Sequence, residues 1–326
     1  MTDTDTLLTV ENLNVSYRGN GKAAHILDSV NIEIGRGQSV GLVGESGSGK
    51  STVAFALLGL LADNAEVSAS HVTFDGRERS FAAGETTPLR GTDIAMIFQD
   101  PMTALNPMFT IGAQLVDIQR RRFPKEKRRM LWARAEAVLA DVGVQDAAAR
   151  MHRYPHEFSG GMRQRVIIAM ALLVEPKLLI ADEPTTALDA TIEAQVVEVL
   201  RRLRQRTSAS MLVVSHSMGL IAELCDSVVV MYAGTVVENG RVADVLHHPR
   251  HPYTRALLAC ELDPFTTFDP SQELATIPGG VPDPSHRPAG CIFAGRCPAR
   301  HDRCSEKPPQ RPARDGRNYA CWLEAA

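Results

Sequence analysis

No stretch of this chain is both long and apolar enough to cross a bilayer. The longest apolar runs, such as Val166–Val174, are about half the length that a spanning helix needs. The N-terminus, M-T-D-T-D-T-L-L-T-V, lacks the basic start and apolar core of an export signal. Net charge is also scarce: −3 over 326 residues offers no bulk attraction to nucleic acid or to an anionic membrane. These absences point to a soluble, cytoplasmic protein with no nucleic-acid partner. Closely spaced C-x2–4-C pairs are missing as well. Four of the six cysteines crowd into the last 36 residues, which suggests a local site and not a disulfide framework.

What is present is an α/β pattern, with length enough for one large domain and an appendage. Leu7 to Ile34 alternate apolar and polar positions, as short antiparallel strands do. Ser39–Val43 reads as a strand ending at a glycine-rich loop, and Ser51–Leu61 as the apolar helix after it. Residues 100–165 look mainly helical, with the basic tract Arg120–Arg129 as a solvated helix face. Leu178–Asp182 and Met211–Ser215 are near-continuous apolar runs, as expected of parallel strands covered on both faces. Val228–Glu238 reads as a hairpin turning at Ala233-Gly234. From about Asp263 prolines punctuate a segment of little periodicity, expected to pack as an irregular extension.

The loop G-E-S-G-S-G-K-S, Gly44 to Ser51, joins that strand to that helix. Gly44, Ser46, Gly47 and Gly49 let backbone N–H groups curl around phosphate oxygens, backed by the positive end of the helix. Lys50 would reach the β- and γ-phosphates, the Ser51 hydroxyl would bind Mg²⁺, and Thr52 completes the candidate set. Asp182 ends an apolar strand, where a carboxylate meets that Mg²⁺. Glu183 follows and would hold and polarise an attacking water. His216, just past another strand, is expected on the same sheet edge, near Glu183 and the γ-phosphate. Gln99, after a further apolar run, can offer its amide to Mg²⁺ or water, and Tyr17 could stack on adenine. A second glycine grip, F-S-G-G-M at Phe158–Met162, opens a helix with Ser159, Gly160 and Gly161. One chain rarely needs two such grips unless another molecule borrows one.

Cys291, Cys297, Cys304 and Cys321 are separated by five, six and sixteen residues. Four thiolates can hold a [4Fe–4S] cluster or Zn²⁺, or remain metal-free thiols. Cys225 and Cys260 lie in apolar helical settings and read as ordinary buried thiols.

These motifs, in this order, resemble the ATP-binding subunit of an ABC transporter over residues 7–260. The resemblance implies a P-loop NTPase cassette with a mixed central sheet, an N-terminal antiparallel β-subdomain and a helical signature subdomain at about residues 100–165. It makes residues 1–260 the ATP-binding domain and 261–326 the extension. It assigns Gly44–Ser51 to Walker A, Gln99 to the Q-loop, Ser159–Gly161 to the signature and Leu178–Asp182 to Walker B. Glu183 becomes the catalytic carboxylate, Ala187-Leu188-Asp189 the D-loop, His216 the switch histidine and Tyr17 the A-loop aromatic. Family members work as head-to-tail pairs, each ATP lying between one subunit's Walker A and the other's signature. Phe158 and Met162 depart from the general L-S-G-G-Q form, while the serine and both glycines are intact.

F-S-G-G-M-R-Q-R, H-P-Y-T at His251–Thr254 and C-I-F-A-G-R-C-P are similar to the dipeptide, oligopeptide and nickel import group. That group implies two permease chains, a second ATPase, usually a paralogue, and an extracytoplasmic solute-binding protein. It places the subunit at the cytoplasmic face of the inner membrane, and some members carry an iron–sulfur cluster in the extension. Peptide import is the expected function, with nickel or another small solute as alternative cargo. A soluble ABC ATPase of translation or DNA repair usually has two cassettes or a long coiled coil, and neither is seen here. A regulatory subunit unable to hydrolyse ATP is opposed by the intact Glu183 and His216.

Overall fold

Alternating burial organises the N-terminal strands. Strands β1 (Thr6–Tyr17) and β2 (Ala24–Gly35) pair antiparallel, burying Leu8, Val10, Leu13, Val15, Leu27, Val30, Ile32 and Ile34. They are longer than the short strands expected, because register shifts around Leu13 let one strand bend and continue. With β4 (Ala65–Ser68), β5 (His71–Phe74) and β6 (Arg77–Glu78) they make a five-stranded sheet. The computed structural model describes residues 5–18, 23–81, 89–100, 104–186, 189–261, 275–313 and 316–323. Among these, no helix is long and apolar enough to cross a membrane.

The second sheet has the order β12-β13-β11-β10-β3-β9-β8-β7. Its centre is parallel: β3 (Ser39–Val43), β7 (Ile94–Ile97), β8 (Leu178–Asp182), β9 (Ser210–Ser215) and β10 (Ser227–Tyr232). Every residue of β3, β8 and β9 is buried, as two covered faces require. Leu178 and Ile180 face the antiparallel sheet and helix α1 (Lys50–Leu58), whereas Leu179 and Ala181 face the helical layer. Each fully buried aliphatic side chain of this kind contributes about 1.5–3 kcal/mol. Helix α1 stops three residues earlier than expected, because Gly59 takes φ 61° and caps it with backbone bonds to Ala56 and Phe55.

The helical layer holds α2 (Ile111–Arg120), α3 (Arg128–Asp141), α4 (Ala147–Arg150) and α5 (Gly160–Leu173). The tract Arg120–Arg129 is not one helix face: it straddles the end of α2, a turn at Phe123-Pro124 and the start of α3. Helices α6 (Ala190–Arg206), α7 (Met218–Leu224), α8 (Val242–His247) and α9 (Pro252–Ala259) complete the layer. The hairpin of β10 with β11 (Thr235–Arg241) turns at Ala233 and Gly234, both at positive φ.

The C-terminal segment is irregular, with one exception. The short strands β12 (Arg311–Pro312) and β13 (Asn318–Tyr319) add to the edge of β11 and lengthen the central sheet. Phe293, Cys291 and Cys304 join the main core, and Arg287 and Lys307 both reach Asp28 on β2.

Candidate nucleotide-binding site

Register brings the candidates together. In the parallel sheet Val43 pairs with Ser215, Asp182 with Val214 and Ile97 with Ala181. The four strands therefore end on one edge, and the segments leaving it carry the Gly44 loop, His216, Glu183 and Gln99. Sequence reasoning expected this edge, and the strand pairing supplies it.

The glycines of the loop answer to space and to backbone angle. A Cβ on Gly44 would lie 2.1 Å from the Met231 carbonyl oxygen. Gly49 takes φ 95°, and a Cβ there would meet Leu27 at 2.7 Å. Lys50 is buried at the first turn of α1, its Nζ donating to the carbonyls of Gly44 (2.8 Å) and Glu45 (3.1 Å). Burial pulls the Lys50 amine below its usual range, while Glu183, Asp182 and Glu45 pull it back up. Ser46 and Gly47 are exposed at the tip of the loop, and Thr52 is half-buried on α1.

The Ser51 hydroxyl donates to Asp182 Oδ1 at 3.1 Å. Asp182 is 2% exposed, and burial raises its carboxyl pKa against the pull of Ser51 and Lys50. The Ser51 hydroxyl and the Asp182 carboxylate are hard oxygen donors of the kind that suits Mg²⁺. Glu183 sits at φ 45° with its N–H donating to the Val214 carbonyl at 2.8 Å. Three groups converge on its Oε2: the Gln99 amide at 3.3 Å, the Thr186 hydroxyl at 2.7 Å and His216 Nδ1 at 3.4 Å. Among the described residues Oε1 has no partner, so one carboxylate oxygen is fixed and the other is free. Tyr17 ends β1, half-buried against the antiparallel core and opposite Ala24 and Ala65.

The second grip stands apart from this edge. Ser159 caps α5, accepting from the Met162 N–H at 3.4 Å. Ser159 and Gly160 are exposed, and a Cβ on Gly160 would meet nothing within 4 Å. Among the described residues nothing requires glycine there. Gly161 is buried instead, and its Cβ would lie 2.5 Å from Ile192 of α6. Asp189 caps α6 through the Ile192 N–H at 3.0 Å, while Ala187 and Leu188 lie outside the described residues.

Sequence reasoning missed Gln164, one turn into α5. It is 1% exposed and donates to the Pro184 carbonyl at 2.7 Å, tying the second grip's helix to the residue after Glu183. Its place three residues after Gly161, on the same helix face, was the available signal. Tyr253 of the H-P-Y-T stretch was also given no role, yet its hydroxyl accepts the Glu45 N–H at 2.8 Å.

The cysteine tail departs from expectation. Among the described residues no group of three or more His, Cys, Asp or Glu side chains stands as a metal-binding set. A metal cluster on Cys291, Cys297, Cys304 and Cys321 is therefore not drawn by the geometry. The four do gather near one another: burial pushes the thiols of Cys291, Cys297 and Cys321 up, and charge on neighbouring thiols adds to each rise. The Leu323 N–H donates to Cys321 Sγ at 3.4 Å. Cys225 is buried, its thiol pushed up to about 12, whereas Cys260 is only half-buried at the end of α9.

Known proteins resemble this chain along most of its length. Residues 27–186 match the family described as ABC transporter, and residues 237–304 match the oligopeptide/dipeptide transporter, C-terminal region. The chain is 43% identical to the oligopeptide transport ATP-binding protein OppD of Haemophilus influenzae, over 98% of each chain. It is 43% identical to the dipeptide transport ATP-binding protein DppD of Escherichia coli, over 97% of this chain and 96% of that one. A solved structure of cbiO1 from Clostridium perfringens, part of an ABC transporter complex, superposes with a TM-score of 0.63 at 27% identity, covering 74% of this chain and 90% of that one. The chain belongs to the ABC transporter ATP-binding family, in its oligopeptide/dipeptide branch.

Proposed function

We propose that this chain hydrolyses ATP to drive import of di- or oligopeptides through a membrane permease. The observation that carries the reading is the Glu183 carboxylate, with Oε2 held by the Gln99 amide and the Thr186 hydroxyl beside His216 Nδ1, and Oε1 open among the described residues. In this reading Gly44, Ser46, Gly47, Gly49, Lys50, Ser51 and Thr52 hold the polyphosphate. Ser51, Asp182 and Gln99 would hold Mg²⁺, which when bound supplies neutralisation of phosphate charge. Glu183 orients and polarises the attacking water through its open oxygen, and His216 steadies Glu183 and contacts the γ-phosphate. Tyr17 stacks on adenine. Ser159, Gly160 and Gly161 complete a site on a neighbouring ATPase, a role supported by the open space around Gly160.

The peptide cargo is supported by the names of the relatives, OppD and DppD. Uptake of labelled dipeptides, oligopeptides and Ni²⁺ by cells with and without the chain decides between cargoes; nickel uptake alone lost on deletion would overturn peptide import. The proposed assembly has two permease chains, a paralogous second ATPase and an extracytoplasmic binding protein, with this chain peripheral at the cytoplasmic face. Exposed Phe98, Met108 and Phe109, near Gln99, offer the apolar surface for a permease contact. Co-purification of permease chains from solubilised membranes tests it. The boundary near residue 260 belongs to the same proposal.

A second reading concerns the tail. The gathering of Cys291, Cys297, Cys304 and Cys321, with the Leu323 N–H donating to Cys321 Sγ, supports a [4Fe–4S] ligand set of structural purpose. Anaerobically purified protein should then contain iron and sulfide; protein lacking both sinks the reading.

A further inference from the structure

Glu45, the second residue of the phosphate loop, is gripped from the C-terminal part of the chain. Its backbone N–H donates to the Tyr253 hydroxyl, its carbonyl accepts Lys50, and its carboxylate takes a two-pronged ion pair from Arg296. Arg296 Nη1 reaches Oε2 at 2.7 Å and Nη2 reaches Oε1 at 3.1 Å. The remaining guanidinium donors go to the carbonyls of Ile277 (2.9 Å) and Pro278 (2.7 Å) and to the Tyr232 hydroxyl (3.4 Å). The arginine side chain is only 7% exposed. Tyr232, Tyr253 and Phe293 pack ring against ring beneath it, with centroids 4.7–5.4 Å apart. A buried, bidentate pair of this kind is specific in geometry, unlike a surface ion pair.

The loop that carries Glu45 otherwise offers glycine N–H groups and Lys50, all suited to a polyanion. A bare carboxylate on that loop would repel the same anion. We propose that Arg296 is a positioning residue for the nucleotide: it neutralises Glu45 and holds its carboxylate on the extension, outside the phosphate path. This rests on the reading of Gly44–Ser51 as the ATP site. It also gives the C-I-F-A-G-R-C-P stretch a task, because Arg296 lies between Cys291 and Cys297.

The test is MgATP affinity, measured by calorimetric titration of the intact chain. Arg296→Ala should weaken binding on the order of tenfold, the size of one uncompensated charge at the rim of a half-screened site. Raised salt should shrink that loss. Adding Glu45→Gln to Arg296→Ala should restore most of the lost affinity. A purely structural arginine predicts no such rescue, since the double variant still lacks the clamp. Arg296→Gln, which can still donate to the Ile277 and Pro278 carbonyls, should lose affinity as the alanine variant does and carries the test if that variant does not fold. Equal affinity in wild type and Arg296→Gln, or a double variant as weak as the single, overturns the proposal while leaving the ATP site intact. Wild-type protein that binds no MgATP, or binds it no better than Lys50→Ala, overturns the site reading itself and the proposal with it.

Discussion

At Glu183 the backbone sits at φ 45°, a conformation that costs a non-glycine residue about 1–3 kcal/mol. The bond from its N–H to Val214 and the three contacts on Oε2 hold it there. Glu183→Gln keeps the shape and an oxygen for Thr186 but loses the basic carboxylate. We expect ATP binding to persist and the steady-state ATPase rate to fall by about 10²–10⁴-fold; substantial turnover would mean that another group activates the water. His251 gives a second residue-scale expectation. It is 1% exposed, its Nδ1 accepts the Tyr253 N–H at 3.0 Å, and burial pulls its pKa down to about 3. The unfolded chain takes up this proton near pH 6.5 and the folded one only near 3, so its contribution is whole above 6.5. It is lost as pH falls, by about 1.4 kcal/mol per unit. Denaturant titrations should show His251→Asn with a flatter decline between pH 6.5 and 5 than wild type. The residues themselves were legible in the sequence because strand, loop and acidic pair occur in a fixed order. The meeting of Gln99, Thr186 and His216 on one oxygen was not, since it depends on side-chain angles that no spacing encodes.

At the scale of elements, helix α5 divides its two glycines between two duties. Gly161 makes room for Ile192 of α6, whereas Gly160 makes room for nothing among the described residues. Gly161→Ala should cost about 1–3 kcal/mol through overpacking and lower the melting temperature. Gly160→Ala should melt like wild type yet lower ATPase activity of the assembled transporter; a fully active Gly160→Ala transporter would remove the partner-site role. The apolar runs at 178–182 and 211–215 were readable as buried parallel strands because two covered faces leave no polar position. Strands β4–β6 and β12–β13 were not foreseen. They are two to four residues long, too short for a period to show, and exist through pairing: β4 and β5 on β1, β6 on β5, β13 on β11 and β12 on β13.

For the whole molecule, the C-terminal segment is structural mortar as much as appendage. Lys307 and Arg287 bind Asp28, the Ala320 N–H bonds the Val237 carbonyl at 2.8 Å, and Arg296 closes on the phosphate loop. Proline and cysteine content marked this stretch as irregular, but its attachment to both sheets arises from contacts distant in sequence, which composition cannot carry. Ser159 and Gly160 of the second glycine grip are exposed, and in the proposed reading they serve the ATP of a neighbour, while Gly44–Ser51 serves this chain's own. The most direct test is the ATPase rate per chain across a dilution series, with light scattering reporting association. Wild type alone is compared with a mixture of Lys50→Ala, which keeps an intact Ser159, and Ser159→Arg, which keeps an intact Lys50. The account predicts a rate that rises with pairing, to itself or to a second ATPase, and activity in the mixture that neither variant shows alone. A monomer with full, concentration-independent turnover would contradict it.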